Sequence, residues 1–190
     1  VAYDLDVESH DTDIPLNWIE LLAYTATKNG GTFSNESARF ITQTATDLSN
    51  RSTTMKKLTK DLKNYDYFLE AYTAVLGGYV GEYELETEPG SKKYEKHYGL
   101  KAFSPIAKGF PYGDFDDFGT ARSYGYSRPH LGHDMMGQIG TPIIAVESGY
   151  VEALGWNQYG SWRIGIRSFD KKRYYYYAHL RQNSPFQKGL

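Results

Sequence analysis

The densest group of side chains that could bind a metal lies between Arg128 and Asp134. His130 and Asp134 are four residues apart, a spacing that would place two ligands together on a helix. Gly132 and the strand-like run that begins at Ile139 argue against a helix, so a loop or extended turn must bring the two groups together. One imidazole and one carboxylate suit zinc, and a catalytic site would add a third protein ligand and a water.

A second candidate lies at the end of an aromatic run over residues 174–180. Side chains alternate along a strand, so Tyr175, Tyr177 and His179 are predicted to share one face. A histidine at the end of an aromatic-lined face is well placed to act on a substrate. The alternative is a histidine that is simply hydrogen-bonded at the end of a strand.

These residues belong to three motifs that follow one another in the second half of the chain. The motifs are R-x-H-x-G-x-D at Arg128, His130, Gly132 and Asp134, then G-T-P-x-x-A-x-x-x-G-x-V at Gly140, Thr141, Pro142, Ala145, Gly149 and Val151, then Y-x-H-L at Tyr177, His179 and Leu180. Asp117-Phe118-Gly119 and Arg122 precede them. Their order resembles that of the M23 metallopeptidases, which are peptidoglycan endopeptidases of the lysostaphin/LytM type. The resemblance covers about residues 104–190.

The resemblance implies a zinc-dependent endopeptidase that hydrolyses peptide bonds in bacterial peptidoglycan, either in the cell envelope or secreted. It implies that His130 and Asp134 are zinc ligands. It also implies that His179 is catalytic, where it would orient the attacking water or stabilise the tetrahedral intermediate. Tyr175 and Tyr177 could line the cleft that binds the peptidoglycan peptide, or they could be packing residues.

The chain departs from the family pattern in one respect. The family's third zinc ligand is the second histidine of a downstream H-x-H motif, whose first histidine is catalytic. None of the five histidines lies in such a motif; they are His10, His97, His130, His133 and His179. We therefore expect that the parent protein continues beyond Leu190 and that this chain alone is inactive.

Three alternatives to these assignments follow from the residues. His133 could replace the missing ligand, but neighbours in an extended segment point to opposite faces, which disfavours His133 beside Asp134. The chain could also be a catalytically inactive M23-like scaffold or cell-wall-binding module. A carbohydrate-binding β domain would explain the 18 tyrosines but not the order of the His and Asp residues.

The composition narrows the class of protein. The sequence has no cysteine, which excludes a thiolate zinc site and a cysteine nucleophile within it. The formal net charge is −2 and no Lys/Arg cluster dominates, so we predict no nucleic-acid partner. No run of about 18 apolar residues occurs, so we predict no membrane span, and no signal-peptide pattern opens the chain.

The elements that must position these residues fall into two halves. In the first half, apolar residues recur at helical spacing over 14–28, 38–48, 55–62 and 65–76. Ser34 is a predicted N-cap, and Gly77-Gly78 a predicted helix end. In the second half, apolar runs separated by turns predict an antiparallel meander, with strands over 141–146, 150–156, 162–168 and 173–180.

The predicted architecture is therefore α+β. A helical bundle occupies residues 1–88 as an N-terminal domain, and residues 89–103 form a linker. An incomplete antiparallel β-sheet domain of LytM/M23 type follows over 104–190.

Overall fold

The structure is a computed structural model that describes residues 1–123 and 126–182. It divides into two units, one over 1–101 and one that begins at Ala102. The described residues form a five-helix region followed by small antiparallel sheets, so the α+β class predicted from the sequence is confirmed. Residues 124–125 and 183–190 of the predicted β domain lie outside the described residues.

Five helices occupy most of the first unit. They are α1 (Ala2–Ser9), α2 (Trp18–Asn29), α3 (Asn35–Ser49), α4 (Met55–Thr59) and α5 (Tyr65–Leu76). The four predicted helical stretches correspond to α2 to α5, Ser34 is the N-cap of α3, and Gly77 is the C-cap of α5. No helix in the described part of the chain is long and apolar enough to cross a membrane.

Helix α2 is the centre of the first unit because its neighbours pack around it. The Asn17 side chain accepts the backbone N–H groups of Ile19 and Glu20, which starts the helix. Gly30 ends it in the left-handed conformation, where a side chain would be strained. Leu21 is almost fully buried against α1 and α3, and burial of such a side chain stabilises the fold by about 1.5–3 kcal/mol.

The predicted linker contains regular structure. Residues Tyr94–Leu100 form β2, which pairs antiparallel with β1 over Val80–Glu86. The strand is held to α1 because the Tyr98 hydroxyl donates to Asp6 Oδ1 at 2.7 Å. Burial and this hydrogen bond raise the pKa of Tyr98 to about 12. The linker is predicted from Pro89-Gly90 and the acidic residues before it. These local features do not reveal the contact between Tyr98 and Asp6, which are far apart in sequence.

The described strands of the second unit form three small antiparallel sheets. They are β3 (Tyr112–Phe115) with β6 (Asp134–Gly137), β4 (Ala121–Ser123) with β5 (Ser127–Pro129), and the three-stranded sheet of β7 (Gly149–Asn157), β8 (Ser161–Ser168) and β9 (Tyr174–Leu180). The predicted meander is confirmed for its last three strands. The strand predicted over 141–146 is reduced to one bridge between Ile106 and Ile143, since Pro142 has no N–H to donate to a ladder.

Candidate metal site

Two short strand pairs bring three metal-capable side chains together. The antiparallel pair of β4 and β5 places His130 directly after β5, and the His130 N–H donates to the Thr120 carbonyl at 2.8 Å. Strand β6 begins at Asp134, which pairs with Phe115 at the end of β3. Asp117 lies just beyond β3, where its N–H donates to the Phe115 carbonyl at 3.0 Å. The segment from His130 to Asp134 is thus a loop between strands, as the sequence predicts.

Asp117, His130 and Asp134 each offer one ligand atom, and these atoms all lie within 4.8 Å of one another. His130 Nε2 is 3.5 Å from Asp134 Oδ1, and His130 Nδ1 is 2.9 Å from Asp117 Oδ2. The side chains are 18%, 18% and 28% exposed for Asp117, His130 and Asp134. Within residues 1–123 and 126–182, no other group of three such side chains meets in this way.

Arg122 supplies a fixed positive charge at the site. Its Nη2 donates to Asp117 Oδ2 and, at 2.6 Å, to Asp134 Oδ2. Burial alone would raise the pKa of Asp117, but hydrogen bonds from the Asp134 N–H and Arg122, and the charge of His130, together lower it. Burial likewise opposes the charge of Arg122, yet its two carboxylate partners raise its pKa. The contact between Asp117 and Arg122 therefore favours the charged forms of these two side chains.

The donor set and the charge suit a divalent cation. Zinc takes histidine nitrogen and carboxylate oxygen at about 2.0–2.2 Å in a tetrahedron, so two of its ligands lie about 3.4 Å apart. The 3.5 Å between His130 Nε2 and Asp134 Oδ1 fits this separation. With a neutral imidazole, two carboxylates and the Arg122 guanidinium leave one net negative charge. That charge attracts a cation, and the site is partly shielded from water.

His133 faces away from this group. Its Nε2 contacts Asp114 Oδ1, and this hydrogen bond is the main reason that the pKa of His133 is raised. Asp134, the next residue, turns instead toward Asp117 and His130. Opposite orientations of neighbours agree with the reasoning from an extended backbone that disfavours His133 as a replacement ligand.

His179 lies on β9, outside the group of three. Ile164 of β8 pairs with Tyr177, whereas Trp162 pairs with Leu180, so β9 carries one extra residue between these pairs. His179 occupies this bulge with φ of 54°, a left-handed conformation uncommon for a residue with a side chain. The bulge interrupts the strict alternation from which a shared face of His179 and Tyr177 is predicted. His179 is exposed, and its catalytic role stays a prediction.

The two predicted substrate tyrosines have protein partners for their hydroxyl groups. Tyr175 donates to Glu147 Oε2 at 2.7 Å, and Arg173 binds both oxygens of Glu147 at 2.7 Å each. The Val146 N–H donates to the Tyr177 hydroxyl at 2.8 Å. These contacts fasten residues 146–147 to β9, which supports the packing alternative. Contact of the two rings with a substrate stays a prediction.

Asp117 and Arg122 are the site residues to which the sequence assigns no role at the metal site, although they precede the three motifs. Both occur in the segment before the R-x-H-x-G-x-D motif, but their spacing relative to His130 suggests no contact. They reach the site because β4 pairs with β5 and β3 pairs with β6. The sequence signal that could have identified them is an acidic residue, Asp117, just before the turn that leads into β4, and an arginine, Arg122, just after it.

Comparison with known proteins gives a partial match. Over 73 residues the chain is 42% identical to the L-Ala--D-Glu endopeptidase of Bacillus subtilis (strain 168). The match covers 38% of this chain and 21% of that relative, so the chain spans about a fifth of the relative's length. No family model matches the chain, and no solved structure matches it.

These comparisons correct the family expected from the motifs. No family model supports M23 membership, and the relative is named for its L-Ala--D-Glu endopeptidase activity rather than as a lysostaphin/LytM-type enzyme. The described strands of the second unit form separate sheets of two, two and three strands, which do not by themselves define a LytM/M23 domain. The M23 assignment is therefore withdrawn, and partial similarity to an L-Ala--D-Glu endopeptidase takes its place.

Proposed function

We propose that this chain is the metal-binding part of a zinc-dependent endopeptidase that cleaves a peptide bond in bacterial peptidoglycan. The observation that carries the proposal is the pairing of His130 Nε2 with Asp134 Oδ1 at 3.5 Å, a separation that suits two ligands of one zinc ion. The partial relative supports the reaction, because its name specifies an endopeptidase. The bond in that name, between L-Ala and D-Glu, occurs in peptidoglycan stem peptides and is the first substrate to test.

His130 and Asp134 are the proposed zinc ligands, as a neutral imidazole and an ionised carboxylate. When bound, zinc would polarise the scissile carbonyl and lower the pKa of a bound water. Arg122 holds Asp134 through Oδ2, which turns Oδ1 toward the imidazole. The guanidinium also offsets part of the negative charge of the two carboxylates.

In addition to the two metal ligands, His179 is the proposed catalytic residue. Its exposure at the end of β9 would make the imidazole accessible to a peptide. Its left-handed backbone costs of order 1–3 kcal/mol, and such strain is frequent at functional sites. Tyr175 and Tyr177 would contact the peptide through their rings, since both hydroxyls bind protein groups. A peptidoglycan substrate places the proposed site of action outside the cytoplasm, in the cell envelope or in secreted form.

The test compares Asp134→Ala with Asp61→Ala in the full-length gene product. Asp61 is an exposed aspartate of the first unit and serves as a matched control. We expect Asp134→Ala to lose both bound zinc and the release of new amino groups from purified peptidoglycan, because it removes an anionic ligand. Asp61→Ala should keep both. If the unaltered protein releases no amino groups but binds cell walls, it is an inactive cell-wall-binding module and the enzymatic proposal fails.

A further inference from the structure

The two aspartates of the group lie next to different nitrogens of the His130 ring. Asp134 lies next to Nε2, and Asp117 lies next to Nδ1. We propose that Asp117 is a positioning residue for His130 and not a metal ligand. It holds the proton on Nδ1, which leaves the lone pair of Nε2 for the metal beside Asp134. This inference rests on the proposed metal site and gives the third member of the group a different role from the other two.

Distances around the imidazole separate the two carboxylates. Asp134 Oδ1 lies 3.5 Å from Nε2, close to the separation of about 3.4 Å expected for two ligands of a tetrahedral zinc. Asp117 Oδ2 lies 2.9 Å from Nδ1, which is a normal hydrogen-bond length and short for two ligands of one ion. The lone pairs of the two ring nitrogens diverge, so a single ion binds only one of them. An ion shared by Nε2 and Asp134 therefore leaves Asp117 beside the other ring nitrogen, Nδ1.

The oxygens of Asp117 are already engaged by protein groups. Oδ1 accepts the backbone N–H of Asp134 at 3.3 Å, and Oδ2 accepts Arg122 Nη2. Asp117 thus connects the backbone of one proposed ligand with the imidazole of the other. Carboxylates that accept the second N–H of a metal-binding histidine fix its tautomer and orientation, and their loss typically weakens metal binding about 10- to 100-fold.

The contact between His130 Nδ1 and Asp117 Oδ2 is short but poorly aligned for a hydrogen bond. Nδ1 is buried and makes no hydrogen bond in this structure, although Asp117 Oδ2 is only 2.9 Å away. The oxygen therefore lies off the direction of the N–H. The distance, rather than the present angle, identifies Asp117 as the partner of this nitrogen.

The first measurement is the tautomer of His130, read from the ¹⁵N shifts of its ring in the metal-free 190-residue chain at a pH where the imidazole is neutral. The signals are assigned by their loss in His130→Gln. We expect the proton on Nδ1. In Asp117→Ala the proton should shift toward Nε2, which free imidazoles prefer. Asp117→Asn keeps an acceptor oxygen and should restore the Nδ1–H form. A wild-type His130 protonated on Nε2 would overturn the inference.

The second measurement is a Zn²⁺ titration of the same variants. Asp117→Ala should weaken Zn²⁺ binding about 10- to 100-fold, and Asp117→Asn should weaken it less. Asp134→Ala should reduce binding below detection. Equal loss in Asp117→Ala and Asp134→Ala would make Asp117 a ligand and refute the positioning role. If the unaltered chain binds no Zn²⁺ yet the tautomer responds to Asp117→Ala, Asp117 positions His130 and the proposed metal function is what fails.

Discussion

Individual atoms at the candidate site have distinct partners. Arg122 takes the Oδ2 atoms of both aspartates, while His130 lies between the two carboxylates with one nitrogen toward each. This division leaves Asp134 Oδ1 and His130 Nε2 as the pair able to share a cation. Because the charges sit in a partly buried cluster, they are screened less by salt than charges on an open surface. Loss of any one of these charged side chains therefore changes the net charge of the whole site.

His179 provides a prediction that separates catalysis from metal binding. In the full-length gene product, His179→Ala should lower peptidoglycan cleavage about 100- to 1000-fold, as expected for loss of a general acid–base or oxyanion-stabilising group. Zinc content should stay unchanged, because His179 lies outside the group formed by Asp117, His130 and Asp134. Cleavage is measured by release of amino groups, and zinc by elemental analysis.

The exposed His97 of β2 offers a matched control for this substitution. His97→Ala should cleave normally with normal zinc content. Normal cleavage by His179→Ala would remove the catalytic role of that residue. Loss of zinc in His179→Ala would instead make His179 a ligand.

Among the elements of the second unit, β9 is fastened to the turn before β7 by one charged cluster. Arg173 binds Glu147 through two nitrogens, Tyr175 donates to the same carboxylate, and the Arg173 and Glu147 side chains are each 17% exposed. Hydrogen bonds from Arg173, the largest cause, and from Tyr175 outweigh burial and lower the pKa of Glu147. The ionised carboxylate therefore contributes to the stability of this sheet.

Glu147→Gln should lower the free energy of unfolding at neutral pH by about 1–2 kcal/mol, since hydrogen bonds to a charged group are replaced by weaker ones. The folded pKa of Glu147 lies below its usual 4.5, so the contribution is complete above that value and is lost as the pH falls through the folded pKa. The difference between wild type and variant should thus shrink on acidification. Urea unfolding at pH 7 and pH 3 measures it.

A surface ion pair is the appropriate comparison for that variant. Glu36 pairs with Arg39 on α3, where both side chains are largely exposed. Glu36→Gln should change stability little at either pH, because exposed pairs contribute little. If Glu147→Gln behaves in the same way as Glu36→Gln, the cluster on β9 is not a stabilising contact.

Across the whole molecule, the elements that the sequence predicts are those fixed by local signals. Helices α2 to α5 have apolar stripes with caps or glycine stops, and β7 to β9 are short runs joined by tight turns. The elements it misses depend on contacts distant in sequence. Strand β2 reaches α1 through Tyr98 and Asp6, and α1 itself carries three acidic residues and no clear apolar stripe.

The same distinction applies to the site. His130 and Asp134 can be identified from a compact motif, and the loop between them follows from Gly132. Asp117 and Arg122 depend on which strands pair, which residue spacing does not reveal. The position of His179 depends on one extra residue in β9, and simple alternation cannot anticipate a bulge.

A crystal structure of the chain grown with Zn²⁺, with anomalous diffraction recorded at the zinc edge, tests the proposed site most directly. We expect an anomalous peak bonded to His130 Nε2 and Asp134 Oδ1, with Asp117 Oδ2 on Nδ1 and off the metal. The peak should vanish in Asp134→Ala crystals grown in the same way. A zinc ion bound through other residues, or no peak at His130 and Asp134 with saturating Zn²⁺, would contradict the proposed metal site.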